Sequence, residues 1–197
     1  MLRAGNLGLF FVLGIFIFGF LNRDTLALGV SAVTGDDSFT HFDGLFKRYG
    51  KESGVPWTWL KAICMNESSL GQAASVSIGL ADPSDIEDSV STDGKSWGLM
   101  QLTLATARSL SGNPSLQAVS LNDPNTSVRL AAKLLVELIG TFGIDDRESV
   151  IRAYNGGPGF AHTTSGKLYT PVYYARFVTH LATVTSTQGV DEFDGFA

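Results

Sequence analysis

The N-terminal residues place the tightest constraint on how this chain can fold. Residues 4–21 carry no charge, and within them residues 7–21 are almost continuously Leu, Phe, Val, Ile and Gly. A segment of this kind has no polar face, so it does not suit a surface helix of a soluble domain. An apolar run of about fifteen residues suits a signal-peptide core or a short, tilted membrane span. The globular part of the chain must therefore begin after it.

The flanks of this segment favour retention over cleavage. Arg23 and Asp24 follow the apolar run at once, and the first small-residue cleavage site, at residues 30–32, lies about ten residues further on. We therefore predict that residues 4–22 anchor the protein in a membrane. A cleaved export signal is the alternative.

A polar break at residues 34–38 sets the predicted domain boundary. Residues 1–34 form the hydrophobic anchor or signal, residues 39–184 a helical domain, and residues 185–197 a flexible acidic tail. Apolar residues recur at helical spacing through the domain, and no strand pair with a hairpin turn is evident, so the predicted fold class is mainly α. The predicted helices begin near Phe39, Val55, Gln101, Asp123, Asp145 and Thr170, and the first ends at Gly50.

Charge and composition exclude several classes of function. The net charge is −5 and no run of Lys and Arg occurs, so nucleic acid is not an expected partner. The single Cys64 cannot form an internal disulfide and is predicted to be a small buried side chain. His41, His162 and His180 lack the spacing of metal ligands, so we predict neither a metal nor a cofactor.

Three short motifs follow one another in the domain: Glu67-Ser68-Ser69, then residues 98–101 (GLMQ), then residues 153–157 (AYNGG). Trp59, Ile63 and Glu67 are spaced four apart, so a helix would place the carboxyl group at the end of an apolar stripe. Poor solvation there predicts a raised pKa and a protonated group near neutral pH. Cleavage of a glycosidic bond needs such an acid, because the sugar oxygen leaves poorly until it is protonated.

In this order the motifs resemble the lytic transglycosylase branch of the goose-type lysozyme superfamily, the SLT or glycoside hydrolase family 23-like domains. These domains cut the glycan strands of bacterial peptidoglycan, and the resemblance spans roughly residues 42–184. It implies a lysozyme-like helical fold in which Glu67 is the catalytic acid and Tyr154 hydrogen-bonds it and fixes its rotamer. The residues that the resemblance places at the substrate are Ser68, Gly98, Met100, Gln101, Tyr154, Asn155 and Tyr173.

The resemblance also implies a reaction and a location. The bond cut would join N-acetylmuramic acid to N-acetylglucosamine, and the product would carry a 1,6-anhydro ring. The partners would be peptidoglycan glycan strands, together with a phage ejection apparatus or an envelope-spanning complex. The protein would be tethered to a membrane and face the periplasm, or would belong to a phage particle, and it would open the cell wall locally.

One departure from the family leaves alternatives open. The stretch between Glu67 and Gln101 is about a dozen residues longer than the family usually has, and the excess contains Asp82, Asp85, Asp88 and Asp93. A solvated loop is one interpretation. A carboxylate from residues 70–96 could instead position a water, which would make the protein a goose-type hydrolase. A non-catalytic component of a virion or secretion assembly is the third possibility.

Overall fold

The computed structural model describes residues 37–71, 95–161 and 164–189, and the side chains of residues 39–71, 95–159 and 171–189. Within these ranges the protein is mainly helical, as predicted. The elements in chain order are α1 (Asp37–Thr40), α2 (Asp43–Ser53), α3 (Trp57–Ser68), β1 (Ser96–Trp97), β2 (Leu102–Thr103), α4 (Leu104–Ser111), a 3₁₀ helix (Ala118–Leu121), α5 (Pro124–Phe142), α6 (Arg147–Gly156), α7 (Pro158–Ala161) and α8 (Thr164–Gln188).

The central helix of the domain is α3, which packs against α2, α5 and α8. Pro56 precedes it with a φ of −54°, a value that the proline ring imposes. Every residue from Trp57 to Cys64 is buried, so the first two turns have no solvent face. The prediction that Cys64 is buried is confirmed. The helix that carries the proposed acid is therefore held on all sides.

A buried polar cluster joins the two ends of the domain through α3. Lys61 is fully buried, and its Nζ donates to Asp43 Oδ1 at 2.7 Å and to Gln188 Oε1 at 2.7 Å. The amide of Gln188 donates in turn to Asp43 Oδ2. The ammonium also lies 3.8 Å from the ring centroid of Phe39. These contacts offset the free-energy cost of burying the Lys61 ammonium, a cost that would be large for an unpaired charge.

The caps of α5 and α6 follow from local side-chain chemistry. Asp123 accepts from the Thr126 amide at 2.9 Å and Pro124 occupies the first turn, so the predicted start of α5 is confirmed. Its predicted apolar stripe is buried: Val128, Ala131, Leu135 and Leu138. The start of α6 was predicted one residue too early, because Asp146 is the cap and accepts from the Ser149 amide at 3.2 Å.

The prediction that the first helix ends at Gly50 is wrong. The helix continues to Ser53 and ends at Gly54, whose φ is +75°. Gly50 instead permits a close approach between α2 and the start of α3, since an added Cβ would lie 2.9 Å from the Cβ of Trp57. The glycine is needed for packing and not as a helix stop.

The last helix is longer at both ends than predicted. It starts at Thr164, so Pro171 lies inside it and not at its first turn. Phe177 and Val184 are buried, as the predicted stripe requires. Residues 185–188, which were assigned to the flexible tail, belong to α8, where the Lys61 cluster holds Gln188.

A short hairpin corrects the prediction that no strand pair exists. Strands β1 and β2 are antiparallel, with Ser96 opposite Thr103 and Trp97 opposite Leu102. The helix expected from Gln101 therefore begins at Leu104, and Thr103 caps it by accepting from the Thr106 amide at 3.2 Å. Two-residue strands are too short to show the alternation that identifies a strand in a sequence.

Several predictions concern residues outside the described ranges. The membrane segment at residues 4–22 and the aspartates of residues 72–94 lie there, as do residues 190–197 of the tail. The boundary near residue 34 stays a prediction. Among residues 37–71, 95–161 and 164–189, no helix is long and apolar enough to cross a bilayer, and no three His, Cys, Asp or Glu side chains are grouped as a metal site would require.

Candidate active site

The proposed acid lies at the junction of α3 and α8. Glu67 occupies the last turn of α3 and is partly buried. The phenol of Tyr173, on α8, donates to Glu67 Oε1 at 2.6 Å. Edge-to-face packing of Trp59 on Phe177, with ring centroids 6.3 Å apart, holds the two helices together one to two turns away. A neutral donor thus faces one carboxylate oxygen of the acid.

The prediction that Tyr154 hydrogen-bonds Glu67 is wrong. The phenol of Tyr154 donates to the main-chain carbonyl of Met100 at 2.9 Å. A phenol has one proton to donate, so the role of donor to the acid passes to Tyr173. Tyr154 lies near the site but orients the hairpin turn, not the carboxyl group.

The turn of the β1–β2 hairpin, residues 98–101, is fixed by side chains from three helices. From α3, the Ser68 hydroxyl donates to the Leu99 carbonyl at 2.8 Å. From α5, the Ser127 hydroxyl accepts from the Met100 amide at 3.1 Å. The Tyr154 phenol, from α6, binds the Met100 carbonyl, and Gln101 Nε2 closes the turn by donating to the Gly98 carbonyl at 2.8 Å. The turn is therefore rigidly placed beside the acid.

Gly98 is the residue that lets this turn pack so closely. Its φ is +71°, a left-handed value that glycine adopts without strain. A Cβ on this residue would lie 1.8 Å from the carbonyl oxygen of Leu121 and 2.7 Å from its carbon. No other residue type fits this position without movement of the 3₁₀ helix.

Three residues of the predicted substrate-binding set are buried. Ser68 and Met100 are fully buried and Gly98 is buried as well, so in this structure their side chains do not form the accessible floor of a cleft. Ser68 also accepts from the Gly71 amide at 2.9 Å, which explains why its hydroxyl is turned inward. These three residues support the site in this structure, and their contact with sugar stays a prediction.

The remaining predicted residues keep some accessible surface. Gln101 is partly buried with a φ of +48°, and Asn155 is exposed at the end of α6. Tyr154 and Tyr173 are partly buried. Contact of these four with substrate stays a prediction.

Burial and charge determine the protonation of the groups around the acid. Burial, followed by the negative charge of Glu67, raises the pKa of both Tyr173 and Tyr154 well above the ordinary value for tyrosine. Both phenols are therefore neutral donors at physiological pH. Burial raises the pKa of the Cys64 thiol to about 12, so this cysteine is not a nucleophile.

Two further residues near the site have no signal in the sequence. Ser127 lies in the predicted α5 and resembles any small core residue, yet its hydroxyl holds the hairpin turn. Asn66 directly precedes the acid, and its Nδ2 donates to the main-chain carbonyl of Tyr173 at 3.1 Å. Only the packing of α3 and α5 against other elements reveals these contacts.

The arrangement suits proton transfer to and from a bound molecule. One carboxyl group has one oxygen engaged by a neutral phenol, and it lies next to a turn whose backbone is fixed by hydroxyl groups. Preorganised geometry of this kind is what general acid–base catalysis requires.

Known proteins are similar to this chain in family and in fold. A search of curated sequences found no significant match. Among solved structures, the chain is similar to the X-ray structure of an inactive glutamate-to-glutamine mutant of lytic transglycosylase Slt from Pseudomonas aeruginosa, with a TM-score of 0.57 and 21% identity over 88% of this chain. The matched region spans 31% of that larger protein, so the likeness concerns the fold. The model of the transglycosylase SLT domain matches residues 44–173. The chain therefore belongs to the transglycosylase SLT domain family.

Proposed function

We propose that this protein is a peptidoglycan lytic transglycosylase that cleaves the β-1,4 bond between N-acetylmuramic acid and N-acetylglucosamine. The observation that carries the proposal is the 2.6 Å hydrogen bond from Tyr173 to Glu67, beside a fixed hairpin turn, in a chain of the SLT family. The P. aeruginosa Slt mutant that shares this fold is inactive after a glutamate-to-glutamine change. That result supports a glutamate as the essential group.

In the proposed reaction Glu67 acts twice. It first gives its proton to the glycosidic oxygen, and the bond between that oxygen and C1 of the muramyl residue breaks. The substrate's acetamido group stabilises the cation at C1. The Glu67 carboxylate then takes the proton of the muramyl C6 hydroxyl, whose oxygen bonds to C1 and closes the anhydro ring. The acid is regenerated and no water is consumed, so one carboxyl group suffices where most glycosidases use two.

Tyr173 stabilises the acid between these two steps. Its neutral phenol donates to Oε1 of Glu67 at 2.6 Å. When the carboxyl group is ionised this hydrogen bond becomes charge-assisted and therefore stronger. The hydrogen bond from Tyr173 thus lowers the free energy of the enzyme between the two steps, when Glu67 is ionised.

Substitution of the acid tests the proposal. Glu67→Gln is nearly isosteric and removes the proton, so lysis of purified peptidoglycan should fall by about 10²–10⁴-fold while the fold is kept. Glu137→Gln on the exposed side of α5 is the matched control and should be fully active. A Glu67→Gln protein with more than about a tenth of the normal rate would remove this residue from the mechanism.

Product mass separates the proposed reaction from hydrolysis. The anhydro product is one water lighter than the product of a muramidase, so mass spectrometry of the released muropeptides identifies the reaction. A hydrated product would favour an aspartate from residues 70–96 as a second catalytic group. A wild-type protein that releases nothing would favour a structural role in a virion or secretion assembly.

We also propose that the enzyme works while tethered to a membrane and opens the wall locally, in a phage particle or in envelope assembly. The charge-free residues 4–21 support the tether, since burial of their side chains in lipid is favourable at about 25 cal/mol per Å². Deletion of residues 1–34 should release an active protein from the membrane fraction. A full-length protein that is soluble and monomeric without detergent would refute the tether.

A further inference from the structure

Tyr173 is held at two points by consecutive residues of α3. Its phenol donates to Glu67 Oε1 at 2.6 Å, and its main-chain carbonyl accepts from Asn66 Nδ2 at 3.1 Å. Carbonyls within a helix already accept from the amide four residues on, so the bond from Asn66 is an additional one. It fixes the height and rotation of α8 at the residue that carries the donor to the acid.

The position of this bond along α8 is significant. Pro171 lies inside the helix two residues before Tyr173. A proline has no N–H and its ring displaces the carbonyl four residues earlier, so a helix is weakened and bent there. The Asn66 amide therefore ties α8 to α3 two residues beyond this proline.

The orientation of the Asn66 side-chain amide carries a free-energy cost. Its Oδ1 is buried and has no hydrogen-bond partner in the described part of the chain. Rotating the amide by 180° would turn this acceptor toward the Tyr173 carbonyl, another acceptor, so Nδ2 must face α8. A buried unpaired acceptor destabilises a protein, and an apolar side chain of the same size would not carry that penalty. What asparagine supplies here is the donor.

We propose that Asn66 is a positioning residue of this enzyme, which places the Tyr173 phenol against Glu67 by holding the Tyr173 carbonyl. The proposal rests on the lytic transglycosylase function given above. Asn66 acts only through Tyr173, so removal of either residue should have the same catalytic consequence. The effect should fall mainly on kcat, because both contacts act on the acid and its donor.

A double-mutant cycle on the full-length protein in detergent tests this. The variants are Asn66→Leu, Tyr173→Phe and the pair, assayed on purified peptidoglycan. We expect each single change to lower kcat about tenfold, and the pair to be no slower than Tyr173→Phe alone. The phenol stabilises the ionised carboxylate, so the alkaline limb of the pH–rate profile should move to higher pH equally in both single variants.

The controls separate positioning from folding. Asn66→Leu should unfold at the same or a higher urea concentration than the wild type, since it removes the unpaired acceptor. Asn66→Ala is the second variant if leucine does not fit, with the same expected kcat. Asn125→Ala is the matched control: its Oδ1 accepts from the Tyr49 phenol on α2, and kcat should be unchanged.

Each outcome is decisive. Losses that multiply to about a hundredfold in the pair would mean that Asn66 acts independently of Tyr173 and overturn the proposal, as would an Asn66→Leu protein with normal kcat. A wild-type protein without activity, or one unaffected by Glu67→Gln, would overturn the proposed function and this inference together. An active, Glu67-dependent wild type with an additive cycle overturns this inference alone.

Discussion

Replacing Gly98 by alanine should destabilise the domain through two separable effects. The first is conformational: a φ of +71° costs an L-residue about 1–2 kcal/mol. The second is steric: the new Cβ would lie 1.8 Å from the Leu121 carbonyl oxygen, well inside any contact distance. The obstacle is backbone, which cannot rotate away as a side chain can. Overpacking of this kind costs about 1–3 kcal/mol.

The sum for Gly98→Ala is therefore about 2–5 kcal/mol, a large part of the 5–15 kcal/mol that stabilises a typical domain. The chain supplies controls for each effect. Gly112 has a φ of +65° with nothing near its Cβ position, so Gly112→Ala should cost only the conformational part. Gly140 lies within α5 with open space around it, so Gly140→Ala should be neutral or stabilise by up to about 1 kcal/mol.

Urea unfolding followed by tryptophan fluorescence measures all three variants, since Trp57 and Trp59 are buried in the core. The order of stability should be Gly140→Ala, then Gly112→Ala, then Gly98→Ala. A Gly98→Ala protein no less stable than Gly112→Ala would show that the 3₁₀ helix yields freely. The argument that this glycine fixes the hairpin turn would then fail.

Other contacts predict further measurable effects. Tyr173→Phe should lower the lytic rate about tenfold with an unchanged product. Tyr154→Phe should mainly lower the free energy of unfolding, by about 1–3 kcal/mol, because it leaves a hairpin carbonyl unpaired. Equal kinetic losses in the two variants would contradict this assignment. The folded state keeps the Cys64 proton up to a pKa of about 12 against 9.0 in an exposed thiol, so stability should fall as pH rises above about 9. Cys64→Ala should flatten that fall, and an unchanged slope in urea titrations at pH 8 to 10.5 would refute the link. Asp43→Ala should cost about 3–5 kcal/mol because it leaves the buried ammonium of Lys61 without a carboxylate, whereas replacing both partners by apolar side chains should cost less in the same assay.

The parts of the fold that the sequence predicted are those that local chemistry determines. The start of α5 follows from an aspartate, a proline and a period of apolar residues, all within one stretch of chain. The helix ends that the sequence predicted wrongly depend on residues far away in the chain. Gly50 is explained by α3 lying against it, and residues 185–188 are helical in a segment whose Gln188 is bound by Lys61, more than a hundred residues earlier.

In the site, too, the sequence predicted what lies within one segment and missed what depends on packing between segments. Its motifs locate the acid and the hairpin turn, because both lie in short contiguous segments. They do not determine which tyrosine reaches the acid. Tyr154 and Tyr173 are both aromatic residues on helices near the site, and the choice depends on how α6 and α8 pack around α3. Helix packing brings residues together that are far apart in the chain, and no periodicity records it.

The site is positioned by polar contacts that come from several helices. Catalytic groups must be held to within about 0.5 Å, which a surface loop cannot do by itself. Here the acid stands on the most enclosed helix of the described domain, and the adjacent turn receives hydroxyl groups from Ser68, Ser127 and Tyr154 on three separate helices. Each of these bonds ends on main-chain atoms of Leu99 or Met100, so it is the backbone of the turn that they hold. Removing any one of these three hydroxyl groups should therefore loosen the turn and lower the free energy of unfolding, because a buried main-chain group of the turn loses its partner.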